Sequence, residues 1–289
     1  MELSRMLQGK VRIALDKAGK PYWDEVWEGY DVLNTIDPRE PSLRNHVPHR
    51  FHLYFQRLFS GRETRGLKLL EIGCARSVWL PYFAEEFGFN ISGIDYSEVG
   101  CAHAEELLLK AGVEGEILCA DFFTPPGCFI EAFDVVISFG VVEHFHDTPG
   151  CFRAFSRFLK AGGLLVTNVP NLSGVNGMIQ KMVNRPIFDI HVPLDRKQLI
   201  HAHQTNGLRM VSCDYFIFVN LGVLKFENWR GHLLYPGACR LRSLLNVVAW
   251  MCERAIPLLK PNRWSSPYIN CVAVKAGASG DGSLFEKRS

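Results

Sequence analysis

No two of the nine cysteines stand in a C-x-x-C pair. Zinc cages and dithiol redox sites need that spacing, and an odd count does not close into a disulfide framework, so reduced, mostly buried thiols in a cytosolic protein are expected. Charge of one sign is also scarce. Lys and Arg total 32 against 30 Asp and Glu, and the resulting +2 excludes an electrostatic grip on nucleic acid across a whole face. No apolar run is long enough to span a bilayer. The N-terminal "MELSRMLQGKVRIALDKAGK" scatters charges where a signal peptide would carry an apolar core. No internal repeat occurs. The two His-x-His pairs, His144/His146 and His201/His203, would point their rings to different faces of a helix, so no metal site is expected from them.

What is present is ordinary globular material: 289 residues, 47% hydrophobic and 21% charged. From about Leu67 to Thr167 short apolar strands alternate with amphipathic helices, the pattern of a parallel sheet with crossover helices. "LKLLEIG", "FNISGID", "GEILCAD", "FDVVISFG" and "GLLVTNV" read as five strands. "SVWLPYFAEEFG" reads as a helix capped by Ser77 and ended by Gly88, and "SEVGCAHAEELLLKAG" as one opened by Ser97 and closed by Gly112. "TPGCFRAFSRFLKAGG" reads as a helix with Thr148 as cap, Pro149 at its first position and glycine at its end. "DRKQLIHAHQTNG" carries Asp195 and Gln198 at capping-box spacing. "LRMVSCDYFIF" and "YINCVAVKA" read as closing strands. Residues 1–58 form a helical cap with the aromatic cluster "KPYWDEVWEGY". The domain spans 59–276, with inserts at about 168–194 and 219–266, and the tail 277–289 is expected to be disordered.

In an open parallel sheet, ligands sit beyond the carboxyl ends of the strands, where strand order reverses. The residues there include Glu71, Gly73, Asp95, Asp121 and Phe139. Asp95 follows Gly73 by 22 residues, the placement of a carboxylate that accepts both ribose hydroxyls; it also sits where an acidic group stabilises a helix N-terminus. Asp121 is placed for an adenine amine, with Phe122 over the base, or for an Asx turn. The first turn, "EIGCARS", has one glycine where a dinucleotide site wants three. Ala75 and Ser77 obstruct the approach of a pyrophosphate, whereas adenosine bearing a short zwitterionic tail demands less. Glu71 and the Gly73 carbonyl suit its ammonium, and helix N-terminal amides near Ser77 suit its carboxylate. That ligand is S-adenosylmethionine. Arg76 reads as a solvated charge.

The ordered set "LLEIGCARS…ISGIDYS…ILCAD…FDVVISFGVVEHFHDTPGCFRAFSRFLKAGGLLVTNVPN" resembles the class I S-adenosylmethionine-dependent methyltransferases, most of all the small-molecule type akin to quinone-biosynthesis and sugar or lipid O-methyltransferases. The resemblance covers about residues 67–170 and extends weakly to the closing strands. It departs from E-x-G-x-G-x-G at Ala75 and Ser77. It implies a Rossmann-like α/β fold: a seven-stranded sheet, helices on both faces, the last strand antiparallel. It also implies that Glu71, Gly73 and Ala75 line the methionine moiety, Asp95 and Tyr96 the ribose, and Asp121 and Phe122 the adenine. Phe139 and the turn Glu143-His144-Phe145 would sit beside the sulfonium.

A sulfonium donor implies in-line displacement on a methyl carbon, for which holding the reactants collinear is the main task. An oxygen acceptor must also lose a proton. His144 is a candidate base or a cofactor-positioning group, and His191, two residues from Asp189, is a second candidate. Acceptor contacts are expected from Asn168, Asn171 and His191, with Tyr22, Trp23 and Trp27 either an aromatic lid or ordinary helix packing. Apolar residues at helical spacing between Leu241 and Ala255, flanked by arginines, read as a helix packed on the core, a homodimer face, or a peripheral membrane contact through residues 240–260. The expected protein is a cytoplasmic enzyme acting on a small molecule, most naturally at oxygen. A non-catalytic S-adenosylmethionine-binding protein and a nicotinamide-dependent oxidoreductase are the competing readings.

Overall fold

The structure, a computed structural model, describes residues 16–29, 37–256 and 258–277. The expected disordered tail lies outside them, apart from its first residue. Strand β1 is Lys68–Ile72, β2 Asn90–Asp95, β3 Gly115–Cys119, β4 Phe133–Phe139, β5 Leu159–Pro170, β6 Leu208–Phe216 and β7 Tyr268–Lys275. They form one seven-stranded sheet in the order β3-β2-β1-β4-β5-β7-β6. β1 to β5 are parallel, and β7 runs antiparallel to both β5 and β6. The order reverses between β1 and β4, which opens the crevice at their carboxyl ends.

Helices α1 (Lys20–Glu28), α2 (His46–Leu58), α3 (Trp79–Phe87), α4 (Glu98–Ala111) and α5 (Thr148–Phe158) surround the first five strands. α6 (Val175–Val183), α7 (Arg185–Asp189), α8 (Arg196–Gln204) and α9 (Tyr235–Ala255) follow. Side-chain alternation divides the core in two. Leu70, Ile72, Val136 and Leu165 face α5 and α8 through Phe152, Phe155, Phe158 and Leu199. Leu69, Val135, Ile137, Leu164 and Val166 face the other way, onto Phe51 and Phe55 of α2 and Phe83 of α3. Every residue of β4 but its last is buried, as a central strand covered on both faces requires. α2, read as part of the cap, therefore packs directly on the sheet.

Four helix ends follow the expected chemistry. Ser97 accepts from the Gly100 amide, Gly88 and Gly112 close their helices in the left-handed conformation, and Asp195 with Gln198 forms a reciprocal capping box. Two caps differ. The helix after β1 starts at Trp79, so Ser77 lies before the cap position, although its hydroxyl still accepts from the Trp79 amide at 3.1 Å. The helix after β4 is capped by Asp147, whose carboxylate takes the Gly150 amide at 2.9 Å, and Thr148 is its first helical residue. This helix ends at Phe158 and passes straight into β5, without the expected terminal glycine.

Candidate active site

The crevice between β1, β2 and β4 holds a cavity of about 150 Å³. It is lined by Gly73 and Ala75 after β1, Ile94, Asp95 and Tyr96 at the end of β2, and Phe122 after β3. Phe139, Gly140, Val141, His144 and Phe145 after β4 complete its wall, with Trp23 and Trp27 of α1 above. Glycines at both central exits keep the floor free of side chains. Gly73 has φ 79°, and a Cβ there would collide with Val141; Gly140 has φ 67°.

The two departures from a glycine-rich turn have physical partners. Ser77 donates its hydroxyl to Glu71 Oε2 at 2.5 Å, and Glu71 is 2% exposed. Burial raises the Glu71 carboxyl to about 8, and the Ser77 hydrogen bond opposes the rise. A third glycine would leave that carboxyl without its hydroxyl. The methyl of Ala75 packs toward α4 at Gly100, where an added Cβ would come within 2.5 Å of the Ala75 Cβ and 3.1 Å of the Trp27 ring. Arg76, between them, adopts a left-handed φ of 54° and lies 6.0 Å from the Trp27 ring centroid.

Asp95, the last residue of β2, lines the cleft. Its two oxygens accept the amides of Ala75 at 3.2 Å and Ser97 at 2.8 Å. Burial raises its carboxyl to about 6 against those hydrogen bonds. A carboxylate has about four acceptor sites, so one remains for a hydroxyl donor beside these amides and that of Tyr96. Phe122 is buried against Phe123, Phe145 and Phe155 while lining the cleft. Asp121 accepts the Phe123 amide at 2.8 Å, an Asx turn, and is not among the lining residues; nor is Glu71.

The segment ending in α1 is fastened across the cleft. Tyr96 donates its hydroxyl to Asp16 at 2.7 Å, and Ser97 donates to Asp24 at 2.6 Å. The Lys17 amide donates to the His144 carbonyl, and its ammonium to the His191 carbonyl at 2.7 Å. Trp23 stacks on Trp27 at 5.4 Å and meets the His144 ring edge-on at 4.9 Å, with Tyr22 edge-on behind Trp23. Trp23 and Trp27 therefore roof the cleft, and Tyr22 is outside its lining.

His144 is 5% exposed on the short 3₁₀ turn Val142–His144. Its ring lies 4.5 Å from that of His191, which a loop returns from 47 residues later. His144 Nδ1 is 3.0 Å from the Ile190 carbonyl and His191 Nδ1 2.6 Å from the Ile187 carbonyl. A carbonyl only accepts, so both Nδ1 atoms carry hydrogen and both Nε2 atoms present lone pairs. Burial, followed by the neighbouring His191, lowers His144 to about 3; burial lowers His191 as well. Glu143 is buried with Oε2 unpartnered, and burial raises its carboxyl to about 8. Ligand atoms of Glu143, His144 and His191 lie within 4.8 Å of one another, a set able to hold a metal ion. The His-x-His pairs gave no hint of this, because the partner of His144 is His191 rather than His146.

The asparagines after β5 serve elsewhere. Asn168 donates to Asn270 across the β5–β7 ladder. Asn171, fully buried, donates to the carbonyls of Arg263 and Ser266 and accepts from Ser173. It ties the second insert to the carboxyl edge of the sheet and is absent from the cleft lining. Ile94 and Val141 line the cleft without having been singled out; Val141 lies in the run "GVVEHF" after β4, whose Phe145 was expected there.

This sheet order defines a doubly wound fold with an antiparallel strand inserted next to its edge and a cleft where the strand order reverses. A methyltransferase domain family matches residues 43–213, more than half the chain, and the protein belongs to that family. Among curated proteins, it is 33% identical over 155 residues to a ubiquinone biosynthesis O-methyltransferase of Caulobacter sp. (strain K31), 51% of this chain and 58% of that protein. It is 35% identical over 107 residues to phosphoethanolamine N-methyltransferase 3 of Arabidopsis thaliana, 36% of this chain and 21% of that protein. The matches thus span about a fifth to three fifths of the relatives' lengths. Geranyl diphosphate C-methyltransferase from Streptomyces coelicolor A3(2), solved with S-adenosyl-L-homocysteine, shares the fold at 17% identity and a TM-score of 0.53. That match covers 89% of this chain and 96% of that one. The cyclase SpnF shares the fold at 16% identity and a TM-score of 0.60 over 91% and 97% of the two chains.

Proposed function

We propose that the protein is an S-adenosylmethionine-dependent methyltransferase acting on a hydroxyl of a small molecule. The observation that carries this reading is the cleft itself. Its floor is bare at Gly73 and Gly140, a carboxylate stands at the end of β2, and aromatic rings surround it. Those residues fit the cofactor. Asp95 would hold the ribose, Phe122 would face the base, and the turn from Gly73 to Ala75 would hold the methionine moiety. When bound, S-adenosylmethionine supplies an electrophilic methyl and leaves as a neutral thioether. The curated relatives act at oxygen and at nitrogen; the two neutral imidazoles favour oxygen here.

The chain's own residues then align the acceptor and take its proton. His144 borders the cleft with a lone pair on Nε2, so it can accept a hydrogen bond from an acceptor hydroxyl. An imidazole held near 3 does not deprotonate an alcohol in advance. It takes the proton as the oxygen gains its methyl and becomes strongly acidic. His191 packs against His144 and fixes its ring, while Trp23 and Trp27 exclude water from the reacting side. Calorimetry with S-adenosylhomocysteine, followed by a cofactor-consumption screen over phenols, quinols and sugars, tests the proposal. Binding with turnover of a hydroxyl acceptor is expected. Binding without turnover on any acceptor would favour a non-catalytic binding protein, and tighter binding of a nicotinamide dinucleotide would overturn the reading.

A further inference from the structure

α9 is 21 residues long and has no buried residue. Leu241, Leu244, Leu245, Val248 and Met251 recur along it at helical spacing, with Leu234 at its N-cap, and share one stripe. All six are exposed, Leu244 at 59% and Met251 at 58%. A packed surface helix turns such a stripe inward; this one turns it to solvent. The opposite side is the anchored one. Arg242 donates to the Leu224 carbonyl, Asn246 accepts the Leu221 amide, and Glu253 is held by His46 and Arg50 of α2.

The charges around the stripe have one sign. Arg230, Arg240, Arg254, Lys260 and Arg263 are exposed. The two acids between residues 219 and 266 are Glu227 and Glu253; neither is fully exposed, and Glu253 points to α2. Trp264, 54% exposed, lies under the Arg263 guanidinium at 4.0 Å. An apolar stripe on a helix that bears the exposed Arg240 and Arg254, in a segment that also exposes a tryptophan, is the composition of a helix lying in a lipid headgroup layer. A second copy of the same face would set cations against cations, whereas an anionic leaflet would neutralise them. No helix among the described residues is long and apolar enough to cross a membrane.

We infer that α9 docks flat on an anionic lipid bilayer, the apolar stripe entering the interface and the cationic rim contacting headgroups. Asn171 ties the end of the insert, at Arg263 and Ser266, to the same edge of the sheet that opens the cleft. Docking requires no turnover and stands apart from the function proposed above.

Co-sedimentation of the full chain tests this with phosphatidylcholine vesicles, with and without phosphatidylglycerol. The protein is expected to pellet with the anionic vesicles and to be released about tenfold or more on raising salt to about 0.5 M, where screening shortens to a few ångströms. The double variant Leu244→Glu with Val248→Glu is expected to stay in the supernatant while melting like wild type, since both side chains are already exposed. Should that variant melt lower, Arg240→Glu with Arg254→Glu decides, with loss of anionic binding again expected. Wild type remaining in solution with anionic vesicles would overturn the inference, as would either folded variant pelleting like wild type. So would a wild-type dimer in sedimentation velocity that Leu244→Glu with Val248→Glu splits, since a second copy would then cover the face.

Discussion

Acidification from about pH 7.5 to about pH 5 should weaken cofactor binding about tenfold, and Asp95 should be the cause. Its carboxyl is raised to about 6 by burial. Ribose hydroxyls donate to the ionised form, so affinity is full above 6 and falls tenfold per unit well below it. The surrounding groups leave this window largely to Asp95. Asp24 of α1 and Tyr96 face it; Asp24 is lowered below its ordinary range and Tyr96 is raised far above neutrality. His144 changes charge only near 3. Titration calorimetry of S-adenosylhomocysteine across this range measures the effect. Asp95→Asn removes the titrating group; it should bind more weakly at neutral pH, by about tenfold or more for a lost charge-assisted contact, and lose the fall on acidification. Two results would refute the reasoning: a wild-type affinity that is flat between the two pH values, or an Asp95→Asn protein that still weakens in acid.

Glu71 predicts a stability effect of the opposite pH sense. Its folded pKa of about 8 exceeds its unfolded value, so the native state holds the extra proton and stability falls as pH rises towards 8. The melting temperature should drop between pH 6.5 and 8.5, and Glu71→Gln, which keeps an acceptor for Ser77, should flatten that drop in circular-dichroism melts. Gly100→Ala should cost about 1–3 kcal/mol in denaturant unfolding, because the new methyl overlaps Ala75 and crowds Trp27. It should weaken S-adenosylhomocysteine more than its stability loss alone explains, since both displaced residues line the cleft; unchanged affinity would show that the roof is not part of the site.

The sheet was legible because its signals are local. Helices α3, α4 and α5 stand between β1 and β2, β2 and β3, and β4 and β5, and Gly88, Ser97 and Gly112 mark helix ends within a few residues of chain. Asp95 and Gly73 could be assigned to one crevice because a doubly wound sheet brings alternate turns together wherever it forms. Other features depend on distant contacts. Nothing near Ser77 announces that its hydroxyl will serve Glu71, because the pairing exists only once the turn is closed. His144 and His191 meet across an intervening stretch of three helices and β5, a juxtaposition that no periodicity encodes. Asn171 looked like an acceptor-side donor because of its place after β5, yet its amide is consumed by carbonyls about 95 residues away. At α5, Asp147 outcompeted Thr148 because two adjacent residues were both competent caps, and the sequence alone does not rank them.

The position of β7 has a consequence for biosynthesis. β6 emerges from the ribosome well before β7, and in the finished sheet it pairs with β7 alone. Until residues 268–275 arrive, β5 and β6 each expose a hydrogen-bonding edge while the cationic, apolar insert is being made after β6. Nascent chains halted in that interval should therefore be the form most dependent on chaperones, and the last strand acts as the latch that ends the exposure.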